Sequence, residues 1–151
     1  MEFDAKNEIK KVENLPIYVK GEEILDLIYH IGKLIPKDDT PLQKVKANMY
    51  NDAMQLTVKV ASAESGQLYD LKMQCAAIIR KAAQDLMLIN NSLEMLGFKH
   101  VEYIKIMSDL IDEYRLLYID WVAQFDQGNH VVDRWGLFNP PGVKPDDLDP
   151  G

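Results

Sequence analysis

The sequence has one cysteine and no long apolar run, and these two features exclude several classes of protein. Because Cys75 has no second cysteine to pair with, an intramolecular disulfide and a zinc site built from several cysteines are excluded. No stretch reaches the roughly 18 consecutive apolar residues of a transmembrane helix. The first 14 residues alternate charges where a secretory signal needs an apolar segment. We therefore expect a cytoplasmic protein that does not enter a membrane.

Positive charge is also scarce. The 151 residues include 17 Lys and Arg against 24 Asp and Glu, which gives a net charge of -7. A protein that binds nucleic acid through bulk charge needs clustered basic residues to neutralise phosphates. The acidic balance therefore argues against such binding. A chain of this length is expected to form one domain around a single hydrophobic core.

Proline and glycine are nearly absent from four stretches and concentrated between them. Within these stretches, apolar residues recur at three- and four-residue steps, which predicts amphipathic helices. The predicted helices cover about 15–35, 41–63, the segment from Ser65 or Gly66 to Gly97, and the segment between Gly97 and Gly128. Short joints make consecutive helices antiparallel neighbours. The sequence therefore predicts an all-α fold, an up-down-up-down antiparallel four-helix bundle with an irregular C-terminal tail.

Residue types at the joints predict where the helices begin and which faces they bury. Asn14 is expected to cap the first helix, and Thr40 the second, with Pro41 at its first helical position. Gly97 is expected to end the third helix. The predicted buried stripe of that third helix consists of Leu68, Leu71, Cys75, Ile78, Ala82, Leu86, Ile89 and Leu93.

The chain divides into three segments by composition. Residues 1–14 are expected to be a flexible, mixed-charge lead-in, 15–126 the bundle, and 127–151 a tail rich in Pro, Gly and Asp. The first half of the tail carries apolar side chains that could dock on a surface: Val131, Val132, Trp135, Leu137 and Phe138. From Pro140 onward the composition is typical of disorder.

The sequence carries no catalytic signature. No Glu stands three residues before His30, His100 or His130, so the Glu-x-x-His pairs of di-iron bundle enzymes are absent. Glycine-rich phosphate loops are absent as well. Cys75 lies on a predicted apolar stripe without a basic partner within one turn, so it is expected to pack rather than react. We expect no catalytic residue, no metal site, no cofactor and no enzymatic activity.

Large apolar residues outside the main stripes predict a second buried face. Self-association is the commonest fate of surplus apolar surface, so a homo-oligomer is expected. The candidate residues for contact with a partner or another copy are Tyr50, Met54, Tyr69, Met73, Trp135 and Phe138. The alternative is a thick core that uses such residues within one chain.

The charge is distributed unevenly, which keeps a second function open. Residues 41–63 carry Lys44, Lys46 and Lys59 against Asp52, a net of +2, whereas residues 99–126 have three basic and six acidic residues. A basic strip on the second and third helices would bind RNA or DNA directly, and its candidate residues are Lys44, Lys46, Lys59, Lys72, Arg80 and Lys81. The alternative is ordinary solubilising lysines.

Three stretches carry a family resemblance. Residues 22–37 (EEILDLIYHIGKLIPK) end a first helix in Ile-Pro-Lys, Gln67-Leu68-Tyr69 leads into a long third helix, and residues 118–125 (YIDWVAQF) place a Trp late in the last one. This order resembles a group of bacterial four-helix-bundle proteins. The group comprises the proteins encoded in ribosomal RNA intervening sequences and the accessory variability determinants of diversity-generating retroelements.

The resemblance covers about residues 15–126 and implies a function. It implies a non-enzymatic bundle that assembles into a homopentameric ring and, in the retroelement branch, binds a reverse transcriptase and nucleic acid. In that branch, nucleic-acid binding is attributed to a strongly basic surface, from which this acidic chain departs. The leading hypothesis is therefore a self-associating accessory or scaffold protein for such a partner. Direct RNA or DNA binding is the alternative.

Overall fold

The regular secondary structure of the chain is entirely α-helical over the part that the structure describes. The computed structural model describes residues 2–151, with side chains from residue 6 onward. The helices are α1 (Glu2–Glu13), α2 (Pro16–Leu34), α3 (Thr40–Ser65), α4 (Tyr69–Ser92) and α5 (Val101–Ala123). The predicted all-α class is confirmed. The count of four helices differs from the five observed, because a helix occupies the segment predicted to be a flexible lead-in.

Helix α1 is the most polar of the five helices, since seven of its twelve residues are charged. It carries Lys10 and Lys11 in its last turn, where positive charge is favourable beside the helix C-terminus. An ion pair at 3.6 Å joins Glu8 and Lys11 one turn apart. The helix contacts α2 and α3. The ion pair and the contacts with α2 and α3 therefore stabilise a helix that was not predicted from the alternating charges.

The four longer helices surround a common core. Helices α2, α3 and α4 each contact the next helix along the chain, and α5 also contacts α2. Gly21, near the start of α2, lies against Leu56 and Thr57 late in α3, whereas Gly32, near the end of α2, lies against Lys46 early in α3. These contacts show that α2 and α3 run antiparallel.

The structure moves three predicted helix boundaries, since α4 ends at Ser92 rather than at Gly97 and two N-caps also differ. Leu15, not Asn14, precedes the first turn of α2 and provides no side-chain hydrogen bond. Asp39 caps α3 in place of Thr40, because its carboxylate stands one residue earlier and accepts a 3.1 Å hydrogen bond from the Leu42 N–H. Thr40 is the first residue of the helix itself.

Helix α4 confirms the second half of its predicted stripe, where Ala82 and Leu86 are buried together with Leu93 just beyond the helix, but not the first half. Leu71 and Ile78 are exposed, while Tyr69, Ala76 and Ile79 are buried. A face whose buried members include alanine and Asn90 is difficult to recognise from apolar periodicity alone. Asn90 is fully buried, and its side-chain amide nitrogen donates to the Ile104 carbonyl at 2.9 Å and to the Ser108 hydroxyl at 3.0 Å.

The segment after α5 is folded back onto the helices rather than disordered. The Asn129 carbonyl accepts a 2.8 Å hydrogen bond from the N–H of Tyr69, the first residue of α4. Val132 is buried, and so is Pro140, where disorder was expected to begin. Composition alone missed this order because local hydrogen bonds, described below, replace an apolar core.

None of the helices over residues 2–151 combines the length and apolar character needed to cross a membrane.

Candidate protein interaction site

A compact loop follows α5, and the carboxylate of Asp133 organises its first half. The two carboxylate oxygens of Asp133 accept hydrogen bonds from the backbone N–H groups of Trp135, Leu137 and Phe138 at 2.8–3.0 Å. Hydrogen bonds from these N–H groups lower the pKa of the Asp133 carboxyl below its ordinary value, and the bond from Phe138 has the largest effect. One ionised side chain thus fixes the turn that carries Trp135.

Contacts with the second half close the loop, which spans residues 133–149. The Arg134 guanidinium donates to the Pro145 carbonyl at 3.0 Å and also to the Asp147 carbonyl. Gly136 has a φ of 73°, and a Cβ at this position would lie 2.9 Å from Cγ of Pro145. Glycine is therefore required beside Trp135, because it accepts both the left-handed backbone and the close approach.

This loop presents Trp135 to solvent. The Trp135 side chain is 95% exposed, and Leu137 and Leu148 of the same loop are exposed as well. Phe138 is half-buried and borders a groove between α3 and α4 together with Gln55, Ala77 and Ile78. Of the two tail aromatics predicted as contacts, Phe138 docks on its own chain and only Trp135 is left for another molecule.

The other four predicted contact residues lie closer to the core. Tyr69 is buried in the chain's own core, which leaves little of its ring for another chain. Tyr50 and Met73 are half-buried against that core, and Met54 is half-buried on α3. Tyr50 also shares a 2.7 Å hydrogen bond with the hydroxyl of Tyr29. The thick-core alternative therefore accounts for much of this set.

A groove of about 380 Å³ lies between α4 and α5. Its lining is mostly apolar and is completed by the following side chains: Ile79, Ala83, Met87, Ile111, Tyr114, Tyr118 and Ile119, with Arg80, Gln84, Asp112 and Arg115. Ile119 is 50% exposed. The small side chain of Ala83 leaves space on the α4 wall. The groove thus offers an apolar recess with two guanidinium groups at its edge.

Two tyrosines fix the lining of this groove. The Tyr114 hydroxyl donates to the Leu56 carbonyl, and the Tyr118 hydroxyl donates to the Ala76 carbonyl, both at 2.7 Å. Burial raises the pKa of both phenols, and the nearby Arg80 opposes this rise at Tyr118. Both hydroxyls stay neutral and donate to backbone carbonyls. The two tyrosines therefore line the groove and do not serve as acid or base groups.

The six basic residues predicted as a strip lie on α3 and α4, and three of them line three different grooves. Lys46 lines a groove between α2 and α3, Arg80 lines the groove between α4 and α5, and Lys81 lines the groove between α3 and α4. The ammonium of Lys72 lies 5.2 Å from the centre of the Phe125 ring. Lys44 and Lys59 share one side of α3, because about four helical turns separate them.

Carboxylates accompany the basic residues on the α3–α4 side. The Lys81 ammonium lies 2.7 Å from the Asp85 carboxylate. Burial raises the pKa of Asp52, the Asp85 charge adds to this rise, and Lys81 opposes it. Positive charge is thus locally balanced at the place where a nucleic-acid phosphate would need it in excess.

The histidines and the cysteine are dispersed. Across the residues whose side chains are described, no group of three or more His, Cys, Asp or Glu is placed to hold a metal ion. His30 and His100 are exposed, and His130 shares a 2.9 Å hydrogen bond with the Gln127 carbonyl. Cys75 is half-buried on α4.

No protein-family model, curated protein or solved structure matches this chain. Its site is therefore interpreted from its own residues. The resemblance carried by residues 22–37, 67–69 and 118–125 stays a prediction from the sequence.

Proposed function

We propose that this chain is a non-enzymatic accessory or scaffold protein that associates with itself and presents a surface to a partner protein. Its structural unit would be an antiparallel up-down-up-down bundle of α2 to α5, with α1 and the loop over residues 133–149 packed outside it. We place the protein in the cytoplasm. The fold and the exposed apolar side chains are the features that support this proposal.

The observation that carries the proposal is the exposure of Trp135 on a loop held by hydrogen bonds. Tryptophan is enriched among the residues that contribute most to binding energy at protein interfaces. A tryptophan that is 95% exposed leaves a large apolar surface in water. The hydrogen bonds that the Asp133 carboxylate accepts fix the loop before binding, so little conformational freedom is lost on association.

Exposed apolar side chains on α5 add to this surface. Ile106, Leu116 and Ile119 are each about half exposed. Their exposure supports self-association, because burying such side chains against another chain removes apolar surface from water.

The proposed partner class comes from the sequence resemblance alone. That resemblance points to a reverse transcriptase of a retroelement and to a pentameric assembly. The genes beside this one provide the direct test, since the retroelement hypothesis requires a reverse-transcriptase gene and a template repeat nearby. If the neighbourhood lacks both, the scaffold proposal needs a different partner.

Light scattering coupled to size-exclusion chromatography tests the self-association. One chain has a mass of 17.3 kDa, so an assembly is recognised as a multiple of that value. We expect a multiple at tens of micromolar and dissociation on dilution. A constant 17.3 kDa across the whole concentration range would refute the proposed self-association.

A further inference from the structure

Trp135 and the α4–α5 groove are complementary surfaces that a single copy does not bring together. The side chain of Trp135 is 95% exposed, so it does not occupy the groove of its own chain. The groove measures about 380 Å³, which is more than an indole side chain needs. We propose that the loop carrying Trp135 inserts into the α4–α5 groove of a second copy of this chain.

This inference rests on the proposed self-association and names the two surfaces that meet. Phe138 anchors the loop near Ala77 and Ile78, on the side of α4 that faces α3. The groove uses Ile79 and Ala83, on the side of α4 that faces α5. Every copy therefore offers a loop on one side of α4 and a groove on the other. Two copies can exchange loops reciprocally, or several can join head to tail.

The charges of the two surfaces are complementary. Residues 133–149 contain four Asp against Arg134 and Lys144, a net of -2. Pro145, which precedes the exposed Asp146, lies against Gly136, which follows Trp135. At the groove, the exposed Arg80 and Arg115 outnumber the single carboxylate of Asp112. An acidic loop thus meets an edge of net positive charge, which favours productive encounter.

The chemistry of the recess also suits an indole. A guanidinium near the face of a tryptophan is attracted by the ring's π electrons. Arg80 and Arg115 are exposed at the edge of the groove, and neither forms an ion pair with any side chain from residue 6 onward. The apolar lining would cover the rest of the ring. Trp135 and the two arginines are residue types that dominate interface energies.

Two variants separate the halves of this contact. Trp135→Ala removes the inserted side chain but leaves the groove intact. Ile119→Glu places a carboxylate in the groove wall, where it repels the acidic loop, and leaves Trp135 intact. Ile119 is half exposed, so the change is not expected to disturb folding. Circular dichroism and thermal unfolding verify the fold of each variant.

Matched controls remove exposed apolar surface elsewhere. Met95→Ala acts on an 85% exposed side chain outside both surfaces, in the α4–α5 connection. Leu88→Glu introduces a carboxylate at an exposed position of α4 that borders the α3–α4 side. Both controls are expected to keep the assembly of the unmodified protein.

Size-exclusion chromatography with light scattering gives the decisive readout. We expect Trp135→Ala and Ile119→Glu each to run as a 17.3 kDa monomer at a concentration where the unmodified protein and the controls associate. An equimolar mixture of the two variants retains one intact loop and one intact groove. The mixture should therefore yield a complex of two chains.

Each other result has a definite meaning. If the unmodified protein associates and either variant forms an assembly of the same mass, the loop–groove contact is refuted while self-association stands. If both variants are monomeric but their mixture forms no complex, the contact is likewise refuted. A monomeric unmodified protein would refute both proposals.

Discussion

The hydroxyl of Tyr114 donates a 2.7 Å hydrogen bond to the carbonyl oxygen of Leu56 and so joins α5 to α3 inside the core. Tyr114 is only 1% exposed. We expect Tyr114→Phe to lower the free energy of unfolding by about 1 kcal/mol, because a buried neutral hydrogen bond contributes roughly that amount. Urea denaturation followed by circular dichroism measures the change.

Tyr29→Phe is the matched control for this change. The Tyr29 hydroxyl also forms a 2.7 Å hydrogen bond, to Tyr50, but its side chain is about half exposed. Water can replace the lost partner there, so the change should stay within about 0.5 kcal/mol. Equal effects of the two substitutions would show that the bond to Leu56 contributes no more to the free energy of unfolding than the exposed bond between Tyr29 and Tyr50.

Gly21 allows α2 and α3 to approach closely. A Cβ at this position would lie 2.8 Å from Cγ2 of Thr57 and 3.1 Å from the Leu56 carbonyl oxygen. A Cβ at Gly32 would meet only the flexible side chain of Lys46, at 3.1 Å and beyond. Alanine raises helix propensity equally at both positions. We therefore expect Gly21→Ala to be less stable than Gly32→Ala by about 1–3 kcal/mol, the usual cost of overpacking.

Thermal and urea unfolding of both glycine variants test this difference. Gly32→Ala should be at least as stable as the unmodified protein, because the helix gains roughly 1 kcal/mol in propensity. Equal stability of the two variants would mean that α2 and α3 separate without cost at Gly21.

The order of the loop should depend on the ionisation of Asp133. Its carboxyl has a pKa below the ordinary value of 3.8, because the ionised form accepts backbone N–H bonds. The stabilisation is therefore complete above that ordinary value and is lost as the pH falls through the lowered pKa. We expect the amide NMR signals of Trp135, Leu137 and Phe138 to shift together in this acidic range.

Asp133→Asn should reproduce the acidic state at neutral pH, since an amide offers one acceptor oxygen instead of two. Asp146→Asn is the matched control, because this exposed carboxylate lies in the same loop. Amide signals that stay unchanged in Asp133→Asn would contradict the role assigned to the carboxylate.

Direct nucleic-acid binding makes a separate prediction. The double variant Lys44→Glu, Lys59→Glu reverses two of the candidate basic residues on α3. Because the chain carries a net charge of -7, we expect labelled RNA to bind this variant and the unmodified protein equally weakly in fluorescence anisotropy. Affinity that falls steeply with salt and disappears in the variant would favour the RNA-binding alternative.

Apolar periodicity predicted that each of the four longer helices has one buried face. For α4 it identified Ala82, Leu86 and Leu93 correctly, but it also placed Leu71 and Ile78 inside, where Ala76 and Asn90 are buried instead. Helix α1 was not predicted because seven of its twelve residues are charged. Periodicity is least informative where alanine or a polar residue occupies the buried face.

The candidate site was only partly predictable. Trp135 was identified from its residue type, and its exposure agrees with a contact role. The docking of Phe138 on its own chain and the hydrogen bonds by which Arg134 closes the loop depend on tertiary contacts. The spacing of residues in the sequence does not predict such contacts. The groove joins Arg80 and Arg115 from helices that are distant in sequence. Such a recess becomes visible only when the helices are packed.

The hydrogen bond between the Tyr69 N–H and the Asn129 carbonyl joins the first residue of α4 to the segment just beyond α5. The two bonded residues are sixty positions apart in the sequence. The N-terminus of α4 and the segment that leads to Trp135 are therefore tethered to each other, so this helix can complete its first turn only after the end of the chain has folded back.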